Sequence, residues 1–390
     1  MRKQNKAEEL VKSGNAKYEK EDYSGAIKDY NKAIQIDPNS VKAYHVRGNA
    51  KRNLEDCNGA IQDYGKAIEL DPNFAKAYYK RGNARYYLSD FEGAIQDFNK
   101  AIELKPNDTN IYYNRGTAKF ELSDYTGAIQ DFNKAIELKP NNAKAYYNRG
   151  IAKFELSVYE GAIQDFTNAI RINPNDAEAY HFRGNAKRNL AIYNSALQDY
   201  DKAIELDPNF AKAYYKRGTV KYYLSDRRGA IQDFSKAIEI NPNETEAYNN
   251  RGSAKFSLKN YNGAVQDFTK AIEINPNKTN VYYNRGNAKV KLSKYEGAIQ
   301  DFTKAIEIYP NDAEVFCARG RVKIKVKKYK DAIKDCTKAL RINPKLTDAY
   351  LCRGLSKHLL GDNNGAYLDW NKAGKLGDSK AYDWIKEYCD

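Results

Sequence analysis

Histidine, cysteine, tryptophan and methionine are all scarce in this 390-residue chain, at three, five, two and one. His45, His181 and His358 lie far apart with no nucleophile or metal-ligand set beside them. The glycines of the recurring RGNAK stretch lie inside a helical pattern and not in a phosphate-binding loop. Such a composition gives no enzymatic signature, no metal site and no expected cofactor. Cys57, Cys317, Cys336, Cys352 and Cys389 show neither paired ligand spacing nor an even-numbered disulfide framework, and read as reduced thiols. Long apolar runs are missing too. No stretch approaches the ~18 residues of a membrane helix, and the opening MRKQNKAEEL lacks the apolar centre of a secretion signal. A cytoplasmic chain with no membrane partner is therefore expected.

Proline is also sparse, and its placement is the most informative feature. All ten, Pro38, Pro72, Pro106, Pro140, Pro174, Pro208, Pro242, Pro276, Pro310 and Pro344, are spaced 34 residues apart. Setting each at place 32 of a 34-residue repeat gives eleven repeats over 7–380, the last without its proline. A basic N-terminal tail at 1–6 and a short C-terminal capping helix at 381–390 flank them. This periodicity overrides the two or three globular domains that length alone suggests. In the repeat 143–176, AKAYYNRGIAKFELSVYEGAIQDFTNAIRINPND, two stretches follow a helical period. The first carries Ala145, Tyr146, Gly150 and Ala152; the second carries Ala162, Ile163, Phe166, Ala169, Ile170 and Ile172. Pro174 ends the second helix, because its ring removes a donor and clashes with the preceding turn. Each repeat is thus a helix–turn–helix.

An aromatic, Gly, Ala, aromatic, Ala and Pro at fixed places of a 34-residue repeat resembles the tetratricopeptide repeat family, and the match covers about 374 of the 390 residues. The resemblance implies an all-α, right-handed superhelical solenoid of stacked helix–turn–helix repeats, its first helices lining a concave groove. Each repeat would touch only its neighbours. A longer period overlays this one. YHVRGNAKRNL at 44–54 returns as YHFRGNAKRNL at 180–190, and FAKAYYKRG at 74–82 returns at 210–218, four repeats on in each case. Duplication of a block explains it, and groove chemistry should recur with it.

Arginine holds place seven in ten repeats, as in Arg47, Arg149 and Arg183, on the helix face opposite the groove. Aspartate holds place twenty-three in all eleven, as in Asp29, Asp165 and Asp199. A guanidinium on a packed surface needs a hydrogen-bonded partner, so the two sets are expected to pair. Only the first repeat lacks the arginine, having Ser13 instead. That favours pairing of each aspartate with the arginine of the following repeat, Asp29 with Arg47 and Asp165 with Arg183; pairing within a repeat is the weaker alternative. Charge recurring at a few places accounts for nearly all of the net +14. It is spread along the array and partly paired, unlike the concentrated basic face of most nucleic-acid binders.

The groove places carry asparagines and aromatics. Asn49, Asn83, Asn185 and Asn287 hold place nine, Asn114, Asn148, Asn250 and Asn284 place six, and Tyr79, Tyr113, Tyr147, Tyr215 and Tyr283 place five. Amides can satisfy the backbone of a bound peptide, and aromatics offer contact area at low entropic cost. Some members of the family grip a carboxylate terminus with a lysine, asparagine, asparagine, lysine, arginine clamp. Here Asn83, Asn114 and Lys144 match it, while Tyr79 and Asn148 replace two of its three cations. These residues predict a non-enzymatic scaffold for peptide segments of other proteins. Self-association through terminal repeats is a lesser possibility. The alternatives are a single-stranded RNA binder using lysines and groove tyrosines, and a regulatory or substrate-selecting subunit of an enzyme on another chain.

Overall fold

The structure is a computed structural model that describes residues 2–388, so Cys389 lies outside the described residues. Every regular element among them is an α-helix, α1 to α23 in chain order. They fall into two compact halves, Met1–Leu206 and Asp207–Asp390. Within each half, an odd-numbered helix packs on the even-numbered helix that follows it, and that hairpin packs on the next. Residues 2–6, read from sequence as a basic tail, form the start of α1 (Arg2–Glu19). At the other end α23 (Lys380–Tyr388) packs on α22 (Asn363–Lys375), with the Trp384 ring edge-on to Trp370.

The repeat with α9 (Ala143–Glu155) and α10 (Tyr159–Ile172) shows how the sequence forces the hairpin. Asn142 caps α9 by accepting from the Ala145 N–H. The helix closes in a Schellman arrangement: Ser157 takes φ 59°, the Ser157 N–H donates to Phe154 O and the Val158 N–H to Lys153 O, at 2.9 and 2.8 Å. Two residues later α10 begins. Ala145, Ala152, Ala162 and Ala169 are buried between the helices and allow their close approach. Phe166, fully buried, lies against Gly150; a Cβ there would sit 2.8 Å from the ring. The same glycine–ring contact recurs at Gly14 with Tyr30, Gly82 with Phe98 and Gly354 with Trp370.

The arginines do pair with the aspartates, but within the repeat. Arg149 donates to Asp165 through Nε and Nη2 at 2.9 and 2.5 Å, and Lys153 completes the carboxylate at 2.8 Å. Arg47 likewise pairs with Asp63, Arg183 with Asp199 and Arg353 with Asp369. The expected inter-repeat pairs, Asp29 with Arg47 and Asp165 with Arg183, do not form. In the first repeat the Ser13 hydroxyl and Lys17 take the place of the guanidinium at Asp29, both at 2.7 Å. The link between repeats uses the third donor. Nη1 of Arg149 reaches back to Asn133 of the preceding repeat at 2.6 Å, and Nη1 of Arg285 reaches Thr269 at 3.1 Å. Each guanidinium also lies over the place-four ring, 5.4 Å from its centroid for Arg149 and Tyr146. One cation thus closes its own hairpin and fixes the register of the one before.

Candidate functional site

With the place-seven cations engaged inside the stack, chemistry is left to the opposite face of the odd-numbered helices. Many amides there bond to the protein itself. Asn114 on α7 (Thr109–Glu121) donates to the Tyr79 hydroxyl at 3.1 Å and to Asn83 Oδ1 at 2.7 Å, both on α5 (Ala75–Tyr87). Asn148 donates to the Tyr113 hydroxyl at 2.9 Å, Asn250 to that of Tyr215 at 3.0 Å, and Asn284 to Asn249 Oδ1 at 3.0 Å. Side-chain bonds therefore tie α5 to α7 and α7 to α9 in the N-terminal half, and α13 (Ala211–Tyr223) to α15 (Thr245–Ser257) and α15 to α17 (Thr279–Lys291) in the C-terminal half. Asn49 and Asn185 act within their own hairpins, where each accepts the hydroxyl of the buried place-twenty-four tyrosine, Tyr64 or Tyr200, at 2.9 Å. Burial pushes both phenols well above their usual range, so they remain neutral donors.

The remaining sequence-derived residues are placed as follows. Tyr147 donates to Glu178 at 2.9 Å, and burial together with that carboxylate raises its phenol. The Tyr283 ring packs against Phe302, 5.8 Å between centroids. Lys144 is exposed at the start of α9. His181 is buried, its Nε2 3.0 Å from Asn185 Nδ2, and His45 packs edge-on to Phe74. Burial, then Lys80 and Lys76, lower the His45 imidazole to about 4.

Between the bonded side chains the face opens into hollows. Tyr79, Asn83, Tyr113 and Asn114 come together with Arg52, Lys80, Tyr86, Tyr87 and Thr117 around about 370 Å³. Tyr147 and Asn148 border a second of about 200 Å³, with Thr117, Phe120, Ile151 and Phe182. In the C-terminal half, Asn284 and Asn287 border one of about 630 Å³, its apolar side formed by Phe256, Phe268, Phe302 and Val322. Asn49 borders a fourth of about 260 Å³ near Asn15 and Tyr18.

Models of the tetratricopeptide repeat match residues 143–176, 245–278, 279–312, 211–244 and 313–346. A TPR-repeat model also matches 14–54, 48–88, 82–123, 116–157 and 193–225. The chain belongs to the tetratricopeptide repeat family. Among solved structures it is similar to YrrB, described as a TPR protein with an unusual peptide-binding site. Identity there is 28%, over 47% of this chain and 95% of YrrB, with a TM-score of 0.43. It is also similar to MamA from Desulfovibrio magneticus RS-1, with 25% identity over 44% of this chain and 96% of that one, TM-score 0.42. Yeast Tom70 matches at 17% identity over 98% of this chain and 95% of its own, TM-score 0.40. Among curated proteins, none matches.

In this tetratricopeptide array the window that partly fits the family's carboxylate clamp has its two amides, Asn83 and Asn114, bonded to each other. Sequence reasoning missed Arg52, Lys80 and Thr117. They stand at places twelve, six and nine, and the signal that singles out places six and nine is asparagine, which none of the three carries. Among the described residues no helix is long and apolar enough to cross a membrane, and no group of three or more His, Cys, Asp or Glu is placed to hold a metal ion. Cys317, Cys336 and Cys352 are buried free thiols.

Proposed function

We propose that the chain is a cytoplasmic, non-enzymatic scaffold that binds peptide segments of partner proteins on the face of its odd-numbered helices. The observation that carries this reading is the presence of hollows on that face within each half. Their apolar sides are aromatic rings, their borders are amides and hydroxyls with Arg52, Lys80, Lys291, Arg321 and Lys325 at two of them, and the place-seven cations are turned away into pairs. An extended segment can set side chains into successive hollows. Its backbone can share amides such as Asn148 and Asn284, which retain a second N–H beyond the one that joins the repeats.

The test is a pull-down from nuclease-treated lysate at low and high salt, comparing the wild-type chain with the Thr117→Arg, Asn287→Arg double variant. Thr117 borders two of the hollows in the N-terminal half, and Asn287 the one of about 630 Å³ in the C-terminal half. A protein retained at high salt by the wild type and lost by the variant, with helical circular dichroism unchanged, is the expected result. Capture seen in untreated lysate and abolished by nuclease points to nucleic acid and overturns the proposal.

A further inference from the structure

Most half-buried cations among the described residues have a carboxylate, Arg188 and Arg227 being exceptions. The pairs at places seven and eleven answer to place twenty-three, as in Lys51 and Arg47 on Asp63 or Lys119 and Arg115 on Asp131. Arg52 and Lys80 do not follow this rule. Both are half-buried, both border the hollow of about 370 Å³, and no acidic side chain borders it with them. Among the described residues neither forms an ion pair. Their polar neighbours are weak: Arg52 Nη2 meets Asn53 Oδ1 at 3.4 Å. Each guanidinium or ammonium instead lies over a tyrosine, Arg52 at 6.0 Å from the Tyr87 centroid and Lys80 at 5.7 Å from that of Tyr79. Burial, then Arg52 and Lys76, lower the Lys80 ammonium below its ordinary value, so like charge is held together there without relief.

Contrast within the molecule sharpens the point. The larger hollow of the C-terminal half also has cations at its border, but Lys291, Arg321 and Lys325 are exposed to solvent, and Arg321 meets Asp348 at 3.2 Å. Water already stabilises them. In the hollow of the N-terminal half, tyrosine rings displace that water from one side of each cation. A bound anion would regain what hydration no longer supplies.

We propose that the hollow built by α3 (Val41–Asn53), α5 and α7 is an anion subsite. In it Arg52 and Lys80 receive an acidic side chain of the bound segment, a carboxylate or a phosphate, between the rings of Tyr79 and Tyr87. The inference rests on the peptide-binding reading above and adds its chemistry: the partner segment is acidic where it crosses the second and third repeats. Arg52 supplies a planar fork for two oxygens, Lys80 a point charge, and the tyrosine faces hold the apolar stem. Arg188, Tyr215, Lys216 and Tyr223 repeat the same residue types 136 positions on, as the duplicated block requires.

Acetylation of Lys80 in the full chain by an N-hydroxysuccinimide ester, read by mass spectrometry, reports occupancy of this hollow, with exposed Lys144 as the reference. The probes are inorganic phosphate, an acetylated and amidated pentapeptide of glutamates around one phenylalanine, its glutamine counterpart, a phosphotyrosine version of that counterpart, and oligouridylate. Protection of Lys80 by phosphate and by the acidic or phosphorylated peptide, at concentrations about tenfold below those the glutamine peptide needs, is expected. Whichever peptide protects better identifies carboxylate or phosphate as the charge. Arg52→Gln should raise the half-protecting concentration about tenfold, and Arg52→Lys less, with the helical signal intact.

Equal protection by acidic and glutamine peptides overturns the anion subsite and leaves the peptide face standing. Protection by phosphate with none by any peptide leaves the subsite and removes the peptide reading. Oligouridylate protecting at lower concentration than every peptide overturns the assignment to an acidic protein segment.

Discussion

Replacing Asp165 by alanine removes the carboxylate on which one hairpin closes. Asp165 is 1% exposed and accepts three charge-assisted bonds, two from Arg149 and one from Lys153. Breaking a buried pair by deleting one partner costs about 3–5 kcal/mol, most of it the stranded charge. Here the stranded cations keep 17% and 22% side-chain exposure and can regain some water, which brings the expected loss to about 2–3 kcal/mol. In an array where each repeat touches its neighbours the effect is local, so the assay is native-state hydrogen exchange rather than a single unfolding midpoint. Amides of α9 and α10 should exchange faster by about 30- to 150-fold, with distant hairpins unchanged. Double-mutant cycles separate the two pairing schemes. Asp165→Ala with Arg149→Ala should show a coupling of at least about 1.5 kcal/mol, and Asp165→Ala with Arg183→Ala a coupling within about 0.5 kcal/mol of zero. The reverse order of couplings would refute closure within the repeat.

Three further outcomes are expected. Gly150→Ala sets a Cβ 2.8 Å from the fully buried Phe166 ring, and overpacking of about 1–3 kcal/mol should exceed the ~1 kcal/mol helix-propensity gain. A thermal midpoint at or above wild type would contradict it, and Phe166→Leu should restore part of the loss. His45 is held neutral in the fold, its ionisation lowered to about 4 from 6.5, so it contributes stability that is complete above pH 6.5 and lost as pH falls toward 4. His45→Tyr should flatten that fall, of order 2–3 kcal/mol, in urea titrations at pH 7 and pH 5; parallel curves for variant and wild type would show the imidazole plays no part. Val158 precedes α10 without a side-chain cap, whereas Asp56 and Asp90 accept from Gly59 and Gly93 N–H at 2.8 and 2.9 Å. Val158→Asp should add about 1 kcal/mol of stability, and no rise in melting temperature would count against the capping argument.

Much of the fold is legible in the spacing of proline and glycine. Pro174 stops one helix, and Gly150 marks where a ring must fit against the other, so the hairpin follows from local rules. The burial of Arg149 is legible too, because places four, seven and eleven share one face. Its partner is not. Asp165 lies 16 residues ahead, Asp131 18 behind, and helical phase places both on the packed side. The missing arginine of the first repeat points to the wrong one, because Ser13 and Lys17 stand in for it at Asp29. The bonds among the amides are hidden for a related reason. Whether Asn148 faces a ligand or the Tyr113 hydroxyl depends on the offset between successive first helices, which periodicity within a helix does not encode. Arg52 and Lys80 are inconspicuous in the sequence because their importance lies in the carboxylate they lack.

The backward reach of the place-seven guanidinium has a consequence for how such a chain changes length. At most junctions its Nη1 finds a side-chain acceptor at place twenty-five of the preceding repeat: asparagine before Arg47, threonine before Arg183 and Arg319, and serine before Arg251. Before Arg81 place twenty-five is Gly65, which offers no side-chain acceptor, and that arginine still closes on Asp97. A junction so tolerant of chemistry accepts any repeat as its neighbour. Whole repeats can then be copied or deleted by recombination without a compensating substitution at the new joint. The sequence block that reappears four repeats later is what such freedom leaves behind.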